Sequence, residues 1–156
     1  LFKVPYPYTK KDAQSFINKK IKKWKQSKKD DYTFFIELKS EKKVIGAMGV
    51  HQIDDLSMVG ETGSWINKKY WRNGYITEAK VAVNDFAFNK LKLRRLYSPV
   101  YKENEASNAT QRKMGYVLEG TQRKAKKSKA SGKIHDVNMY GLLKEDWLKV
   151  RKNLCQ

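Results

Sequence analysis

The chain has 156 residues, with 34 Lys and Arg against 16 Asp and Glu, for a formal net charge of +18. Its length is typical of one domain with its own core, and 40% hydrophobic residues with 4 Trp, 9 Tyr and 6 Phe exclude a disordered chain. No apolar run approaches the ~18 residues of a membrane helix and no apolar leader is visible, so we expect a cytoplasmic protein with no membrane partner.

The first predicted elements are a helix and a hairpin. Thr9 and Asp12 have the spacing of a capping box, which predicts a helix to about Ser27. Apolar residues recur along it at three- and four-residue spacing, and we expect this stripe to pack inward: Phe16, Ile17, Ile21 and Trp24. Residues 31–39 and 43–53 alternate as strands of one hairpin, and residues 54–58 are predicted as a loop.

The second half of the chain alternates strands and helices. Residues 62–66 are predicted as a short strand, 67–73 as a polar turn, and a helix begins at Gly74 or Tyr75 and ends near Lys90. Further predicted elements are a strand at 94–101, a helix from Glu105 or Ala106 to Met114 with Gly115 as its C-cap, strands at 116–123 and 133–143, and a last helical segment at 144–153. This order predicts an α/β fold, with helices on a mostly antiparallel sheet and no linker dividing residues 1–156.

The excess of positive charge would attract anions, and three classes of partner fit it. These are a polyanionic cofactor, a ribosomal or other nucleic-acid surface, and an acidic protein. The lysines are scattered through segments such as KKIKKWKQSKK rather than interleaved with stacking aromatics, which favours a solvated surface over a nucleic-acid groove. The only cysteine, Cys155, cannot form an internal disulfide, as is usual in a reducing compartment.

The stretch ETGSWINKKYWRNGYITEA, from Glu61 to Ala79, contains a strand, a turn with glycine and the start of a helix. Such a turn leaves several backbone N–H groups at the helix N-terminus without partners, and the helix dipole adds partial positive charge there. A phosphate group is the natural occupant of that position. From the spacing alone, an ordinary strand-to-helix connection fits equally well.

Three blocks of sequence resemble the GNAT superfamily of N-acetyltransferases in its RimJ/RimL variant. The first is WINKKYWRNGYITEA, similar to that variant's acetyl-CoA-binding segment; the second is NEASNATQRKMGY, similar to its N-x-A-S and K-x-G-F pattern; the third is HDVNMYGLLKEDW, similar to its closing strand. The family begins with a strand and a helix ahead of the segment that here is PYPYT. By this resemblance we expect that a strand and a helix are missing at the front.

The resemblance implies acetyl-CoA as the co-substrate. The pyrophosphate would lie on the amides of residues 72–77 beside Arg72, and the pantetheine arm would lie along Trp65, Ile66 and Asn67, opposite Asn104, where two strands splay apart. A backbone N–H near Ile66 would polarise the thioester carbonyl. The implied cofactor residues are Trp65, Ile66, Asn67, Arg72, Asn73, Gly74, Tyr75, Ile76, Thr77, Asn104 and Ser107.

Transfer to an amine requires a group that takes the amine proton and one that protonates the leaving thiolate. The tyrosine that many GNAT enzymes place seven residues after the asparagine is Gln111 here, and the resemblance nominates Ser107 as the acid; its alternative role is the N-cap of a helix. Glu61 is the candidate base, or a solvated carboxylate. His51 is a second candidate for the base or a half-buried strand residue, and with Asp136 it is expected to line the acceptor site.

The function implied is transfer of acetyl from acetyl-CoA to a primary amine by direct attack in a ternary complex. The first candidate acceptor is a protein N-terminal α-amino group of the ribosomal-protein type, near ribosome or RNA. Alternatives are a small-molecule amine such as a polyamine, amino acid or antibiotic, and a non-catalytic module that binds RNA or the ribosome. We expect a monomer or homodimer, and no metal, because neither histidine has partners at metal-ligand spacing.

Overall fold

The computed structural model describes residues 4–26 and 30–154, so Ser27 and Cys155 lie outside the described residues. The helices are α1 (Lys10–Trp24), α2 (Tyr75–Asp85), α3 (Glu105–Lys113) and α4 (Lys144–Asn153). The strands are β1 (Tyr32–Leu38), β2 (Lys43–Asp54), β3 (Val59–Ile66), β4 (Arg95–Tyr101), β5 (Val117–Lys127) and β6 (Ile134–Leu143). A 3-10 turn, Lys68–Tyr70, precedes α2, and a π-helical turn, Phe86–Lys90, extends it.

The six strands form one sheet in the order β1-β2-β3-β4-β6-β5, which confirms the predicted α/β class. Every neighbouring pair is antiparallel except β3 and β4, which are parallel. These two strands pair only from Val59 to Glu61, opposite Arg95 to Tyr97. Strand β3 continues to Ile66 against β2, and β4 continues to Tyr101 against β6. The two central strands therefore diverge beyond Glu61 and Tyr97, as the resemblance implied.

Pro99 supplies a physical reason for this divergence. The amide of Lys102 donates to Asp136 of β6, so even-numbered residues of β4 pair with β6 and odd-numbered residues face β3. The Tyr97 carbonyl, which accepts from the hydroxyl of Thr62, agrees with that alternation. Pro99 faces the same way and has no N–H group to donate. A parallel ladder cannot continue past it.

The hydrophobic core lies between one face of the sheet and the helices α2, α3 and α4. Its members come from all these elements and include Met48, Val50, Val83, Phe88, Leu96, Met114, Tyr140 and Trp147. The end of α3 is fixed by Gly115, which has a φ of 81°, while the amide of Tyr116 donates to Gln111 and that of Gly115 to Arg112. A Cβ at Gly115 would lie 2.6 Å from Val150 of α4, so this glycine also permits close helix packing.

Helix α1 differs from its prediction. The capping box is present, because the Thr9 hydroxyl accepts from the Asp12 amide and the Asp12 carboxylate accepts from Thr9. The inward packing of the apolar stripe is wrong: no residue of α1 is buried, and Trp24 is 52% exposed. Three residues of the stripe, Ile17, Ile21 and Trp24, instead line an open groove of about 280 Å³ against β1, because the helix lies over the edge of the sheet rather than its centre.

Two other boundaries differ. Strand β3 begins at Val59 rather than at residue 62, since its first residues pair with β4 in a register that the sequence pattern does not reveal. The central helix is α-helical only to Asp85, and the π turn completes it to Lys90. Its buried face contains Lys80 and Asn84 beside Val83, whereas the sequence pattern predicted an apolar face. Within the two described ranges, no helix is both long enough and apolar enough to cross a membrane.

Candidate functional site

The divergent half of β3 presents backbone groups to the gap between the central strands. Asn67 donates its amide to Ile45 of β2, and alternation along the strand turns the amides of Ile66 and Ser64 away from β2. The carbonyl of Ile66 accepts from the indole of Trp71 at 3.1 Å. The Ile66 N–H therefore faces the gap, where it can donate to an extended ligand. The Ile66 carbonyl already accepts from Trp71.

The turn after β3 leads into a helix N-terminus with unpaired amides. The side-chain oxygen of Asn67 accepts from the amide of Lys69 and its carbonyl accepts from that of Tyr70, so Asn67 holds the turn in place. Gly74 has a φ of 80°, and the first helical bond runs from the Glu78 amide to the Gly74 carbonyl. In the described chain the preceding amides have no acceptor: Tyr75, Ile76 and Thr77. With Arg72 also left-handed at 64°, the turn leaves these donors unpaired at a helix N-terminus, which is the geometry that an anion site requires.

Space and charge at this turn favour a phosphate. A Cβ built on Gly74 would meet no atom within 4 Å, so the approach to the amides is open. The side chains of Lys68, Lys69 and Arg72 are exposed around it. Asn73 donates its side-chain amide to the Trp71 carbonyl at 2.9 Å and stabilises the turn rather than pointing away from it.

The start of α3 follows directly from the end of β4. The side chain of Asn104 accepts from the amide of Ser107 at 3.2 Å, so Asn104 is the N-cap. The alternative role of Ser107 as N-cap is therefore wrong, because it lies three residues inside the helix. Its side chain is half-buried. The side-chain amide of Asn108 contacts the carbonyls of Tyr101, Lys102 and Asn104 and so ties the helix to the end of the strand.

On the core side of the gap, buried polar side chains link the two strands to α2 and α3. Ser98 donates to the Thr62 carbonyl and accepts from Gln111, which fills the position of the family's tyrosine. The Thr62 hydroxyl lies 3.1 Å from that of Tyr116, which in turn donates to Asn84. Burial raises the pKa of the Tyr116 hydroxyl above its usual range. We call these five side chains the closed cluster.

Lys80 lies beside the closed cluster. Its side chain is 2% exposed, and its Nζ lies 4.4 Å above the centre of the Tyr116 ring. Burial lowers the pKa of this lysine from 10.5 to about 7, because the ammonium form loses its hydration. Among the described residues, no carboxylate contributes to that shift.

On the opposite face of the same strands, a second row of polar side chains crosses the sheet. His51, Glu61 and Tyr97 are direct cross-strand neighbours on β2, β3 and β4. Asp31 precedes β1 and reaches the same row, with Oδ1 3.1 Å from Nδ1 of His51. We call these four side chains the open row. Gln52 donates to Glu61 at 2.7 Å. Burial, with a smaller effect of the Glu61 carboxylate, raises the pKa of Tyr97.

Asp31 is the most constrained member of the open row. Lys20 donates to both of its oxygens at 2.8 Å, Thr33 donates to Oδ1 at 3.1 Å, and Lys23 lies 3.7 Å away. Burial opposes ionisation of this carboxyl, but His51 and Lys20 outweigh it and hold its pKa well below the usual range. The carboxylate is therefore ionised at any working pH. The contact with His51 has the distance of a hydrogen bond but not its alignment.

Asp136 does not join His51. Its Oδ1 accepts from the amide of Lys124 and its Oδ2 lies 3.9 Å from Lys102, so it fixes the irregular part of the β5–β6 hairpin. His135 is on the other face of β6, where its ring packs 4.4 Å from that of Tyr101. The structure thus brings His51 and Glu61 together and separates both from Asp136.

Sequence reasoning missed Asp31, Tyr97 and Lys80. Asp31 and Tyr97 become neighbours of His51 and Glu61 only through strand register, and no sequence motif marks them. Lys80 could have been noticed, because a lysine four residues before Asn84 shares its helix face. Over residues 4–26 and 30–154, no cluster of three or more His, Cys, Asp or Glu side chains could hold a metal.

Comparison with known proteins gives a family match over most of the chain. The family model described as "Acetyltransferase (GNAT) domain" matches residues 2–117. The N-acetyltransferase YoaA of Bacillus subtilis (strain 168), described as uncharacterized, is 34% identical over 109 residues, which are 70% of this chain and 60% of YoaA. The ribosomal-protein-serine acetyltransferase of Escherichia coli (strain K12) is 27% identical over 100 residues, 64% of this chain and 55% of that protein. The match thus spans less than two thirds of these relatives.

Solved structures give the same fold. A variant of the spermidine N-acetyltransferase SpeG from Vibrio cholerae superposes with a TM-score of 0.76. The superposition covers 95% of this chain and 82% of that chain, at 22% sequence identity. This likeness concerns the arrangement of the helices and strands.

Proposed function

The chain belongs to the GNAT acetyltransferase family, and from that premise we propose that it transfers acetyl from acetyl-CoA to a primary amine. The observation that carries the proposal is the pairing of a divergent strand, β3, with an uncapped helix N-terminus directly after it. The free edge of β3 suits an extended ligand with amide groups, and the helix N-terminus suits a pyrophosphate. Acetyl-CoA contains both, as its pantetheine arm and its pyrophosphate. No metal is part of the proposal.

In this proposal the cofactor lies across the gap between β3 and β4. The amides of residues 75–77 and the side chain of Arg72 bind the pyrophosphate. The pantetheine arm pairs with the free edge of β3 at Ser64 and Ile66, as an added strand would. The amides of Trp65 and Asn67 face β2. These two residues therefore hold the strand edge in place and donate no backbone hydrogen bond to the cofactor.

The N–H of Ile66 would bind the thioester oxygen, where negative charge develops when the amine attacks. The amine nitrogen forms a bond to the carbonyl carbon, and the tetrahedral intermediate collapses with loss of the thiolate. Ser107 at the first turn of α3 is the proposed proton donor to the sulfur, with Asn104 holding the turn in place. A free thiol has a pKa of about 8.5, so this step needs only a weak acid.

The acceptor is a primary amine that enters over the open row. Lys20 neutralises Asp31, which leaves Glu61 as the carboxylate of the open row that suits a cationic group, in a chain of net charge +18. We propose the N-terminal α-amino group of a protein, of the ribosomal-protein type, as the acceptor class. The E. coli relative bears the name of a ribosomal-protein acetyltransferase, which supports this choice. A polyamine is the competing acceptor, because the solved neighbour is a spermidine acetyltransferase.

The test is calorimetric titration of acetyl-CoA into the wild type and Gly74→Glu. The carboxylate would enter the phosphate position, and a φ of 80° would strain the turn. The matched control is Gly132→Glu, because Gly132 also has a positive φ, of 71°, and open space, but lies in the β5–β6 loop. We expect micromolar binding by the wild type and the control, and none by Gly74→Glu.

Turnover of acetyl-CoA is then measured with peptides bearing free N-termini, with spermidine and with an aminoglycoside. Faster turnover with the peptides would support the protein acceptor, and preference for spermidine would replace it. Failure of the folded wild type to bind acetyl-CoA would contradict the enzyme proposal. Salt-sensitive binding to RNA in that case would support the non-catalytic module instead.

A further inference from the structure

We propose that His51 is the general base of the transfer and that Asp31 is its positioning residue. This inference rests on the proposed acetyl transfer and assigns the proton acceptor within the same site. Its basis is the juxtaposition of an ionised, buried carboxylate, a histidine that it contacts at one ring nitrogen, and a glycine that leaves the other nitrogen open.

Asp31 defines the orientation of the His51 ring. Its side chain is 10% exposed, and Lys20 and Thr33 hold its two oxygens in place. Its Oδ1 lies 3.1 Å from Nδ1 of His51, which is buried. A carboxylate at that nitrogen favours the tautomer with hydrogen on Nδ1, so the lone pair of neutral His51 is on Nε2.

Gly63 leaves Nε2 uncovered. A Cβ built on Gly63 would lie 3.8 Å from Nε2 and 3.6 Å from Cδ2 of His51. Among the described residues, it would meet no other neighbour within 4 Å. The His51 side chain is 24% exposed, so solvent or an acceptor reaches this nitrogen. Gly63 precedes Ile66 by three residues on the same strand, which is about 10 Å at the usual rise per residue. An amine on Nε2 is thus within reach of the Ile66 N–H directly or through one water.

Glu61 is the other candidate base, and its contacts suit a different role. One of its oxygens accepts from Gln52 at 2.7 Å, and the carboxylate also contacts the Tyr97 hydroxyl. These two contacts occupy lone pairs that a base would need to accept the proton of the amine. Glu61 is directly beside His51 across the strands, so it would hold the ammonium form of the acceptor while His51 takes the proton.

Neutral His51 removes one proton from the R–NH3+ acceptor at Nε2 and becomes imidazolium. The resulting amine forms the C–N bond with the thioester carbon, the C–S bond breaks, and the electron pair leaves on sulfur. The second nitrogen proton passes to the thiolate through Ser107, and His51 releases its proton to solvent. The products are the acetylated amine and the free thiol of coenzyme A, with one proton released.

The test compares His51→Gln, Asp31→Asn and a control, His135→Gln, in acetyl-CoA turnover from pH 5 to 9. His135 is a matched control because it is 22% exposed and lies 3.4 Å from a carboxylate, that of Glu103, away from the open row. The charged or titratable groups that face His51 are Lys20 and Lys23 of α1, Asp31, Glu61 of β3 and Tyr97 of β4.

For His51→Gln we expect a kcat about 100-fold lower and loss of the acidic limb of the pH profile, with unchanged acetyl-CoA affinity. For Asp31→Asn we expect a smaller loss of kcat at unchanged KM, and a change of the His51 tautomer in 15N NMR spectra. Exogenous imidazole should restore part of the rate to His51→Ala and none to an Asp31 variant. His135→Gln should keep the wild-type profile.

A wild-type pH profile retained by His51→Gln would overturn the inference while leaving the acetyl transfer intact. An unchanged His51 tautomer in Asp31→Asn would overturn the role of Asp31. Absence of transfer by a wild type that binds acetyl-CoA would overturn the proposed function itself, and the assignment of the base would fall with it. If His51→Gln does not fold, the imidazole rescue of His51→Ala and the NMR titration of wild-type His51 decide between these outcomes.

Discussion

The closed cluster and the open row lie on opposite faces of the same two strands. Both are lines of polar side chains that cross β3 and β4 at nearly the same level, through Thr62 and Ser98 on one face and Glu61 and Tyr97 on the other. The closed cluster is covered by α2 and α3, and its groups bond mainly to each other. Within residues 4–26 and 30–154, α1 covers the edge of the open row, through Lys20 on Asp31.

The two sets of side chains differ in whether a ligand from outside can reach them. Gln111 and Asn84 are at least 95% buried, so a ligand from outside does not reach them. Each also keeps one side-chain atom without a hydrogen-bond partner among the described residues. His51 is partly exposed and has a free ring nitrogen above Gly63. Substitutions in the closed cluster should therefore change stability, and substitutions in the open row should change the pH profile and rate of transfer.

The largest expected effect is that of Lys80→Met beside the closed cluster. A pKa near 7 in the folded state and 10.5 in the unfolded chain means that the unfolded chain binds more protons between these pH values. Folding stability thus rises with pH across this window, and the penalty is complete below pH 7. The substitution should raise the free energy of unfolding by up to ~5 kcal/mol at pH 6.

Urea unfolding at pH 6, 8 and 10.5 measures this effect, and the gain should vanish at the highest pH. Lys90→Met is the control, because Lys90 is exposed at the end of the same helix. An equal gain in stability at every pH would show that packing, and not the charge of Lys80, is responsible.

The next largest effect is expected for Gly63→Val, beside His51 of the open row. The new side chain would cover Nε2 of His51 without steric conflict with the backbone, since no contact of a Cβ there is shorter than 3.6 Å. We expect kcat to fall about 100-fold, because the amine is displaced from the base. Acetyl-CoA affinity by calorimetry should be unchanged, and an unchanged kcat would contradict the placement of the amine.

A smaller effect separates two tyrosines. Tyr116→Phe removes the hydroxyl that contacts Thr62 and Asn84, and the loss of its hydrogen bond to the buried Asn84 oxygen should cost about 1 to 2 kcal/mol of stability. Tyr97→Phe should cost less, because Tyr97 is only half-buried, but it should alter the pH profile of turnover. Thermal unfolding and turnover of both variants test this, and the opposite pattern would reverse the roles of the two faces.

The smallest effect concerns Asp31 in acid. A carboxyl with a lowered folded pKa stabilises the protein above its unfolded pKa of 3.8, and this contribution is lost as the pH falls below that value. Asp31→Asn should therefore destabilise the protein by about 1 kcal/mol at pH 7, after allowance for solvent screening, and by less at pH 3. Equal destabilisation at both pH values would indicate lost packing instead.

Much of the fold could be predicted, because its signals are local. The capping box at Thr9, the glycine that ends α3 and the strand-turn-helix sequence around Gly74 all depend on residues a few positions apart. The stripe of α1 was predicted to pack inward for the same local reason, and this was wrong because burial depends on what covers the helix. The residue roles at the cofactor position remain predictions.

The sequence by itself determined the order of elements, the α/β class and the strand-turn-helix segment around Gly74, since periodicity and turn chemistry act over short distances. Only the tertiary structure decided which side chains meet across strands. The contact of Asp31 with His51, the free amide of Ile66 and the burial of Lys80 all depend on register and on helix docking. A shift of register by one residue moves a side chain to the other face, and local sequence does not encode that choice.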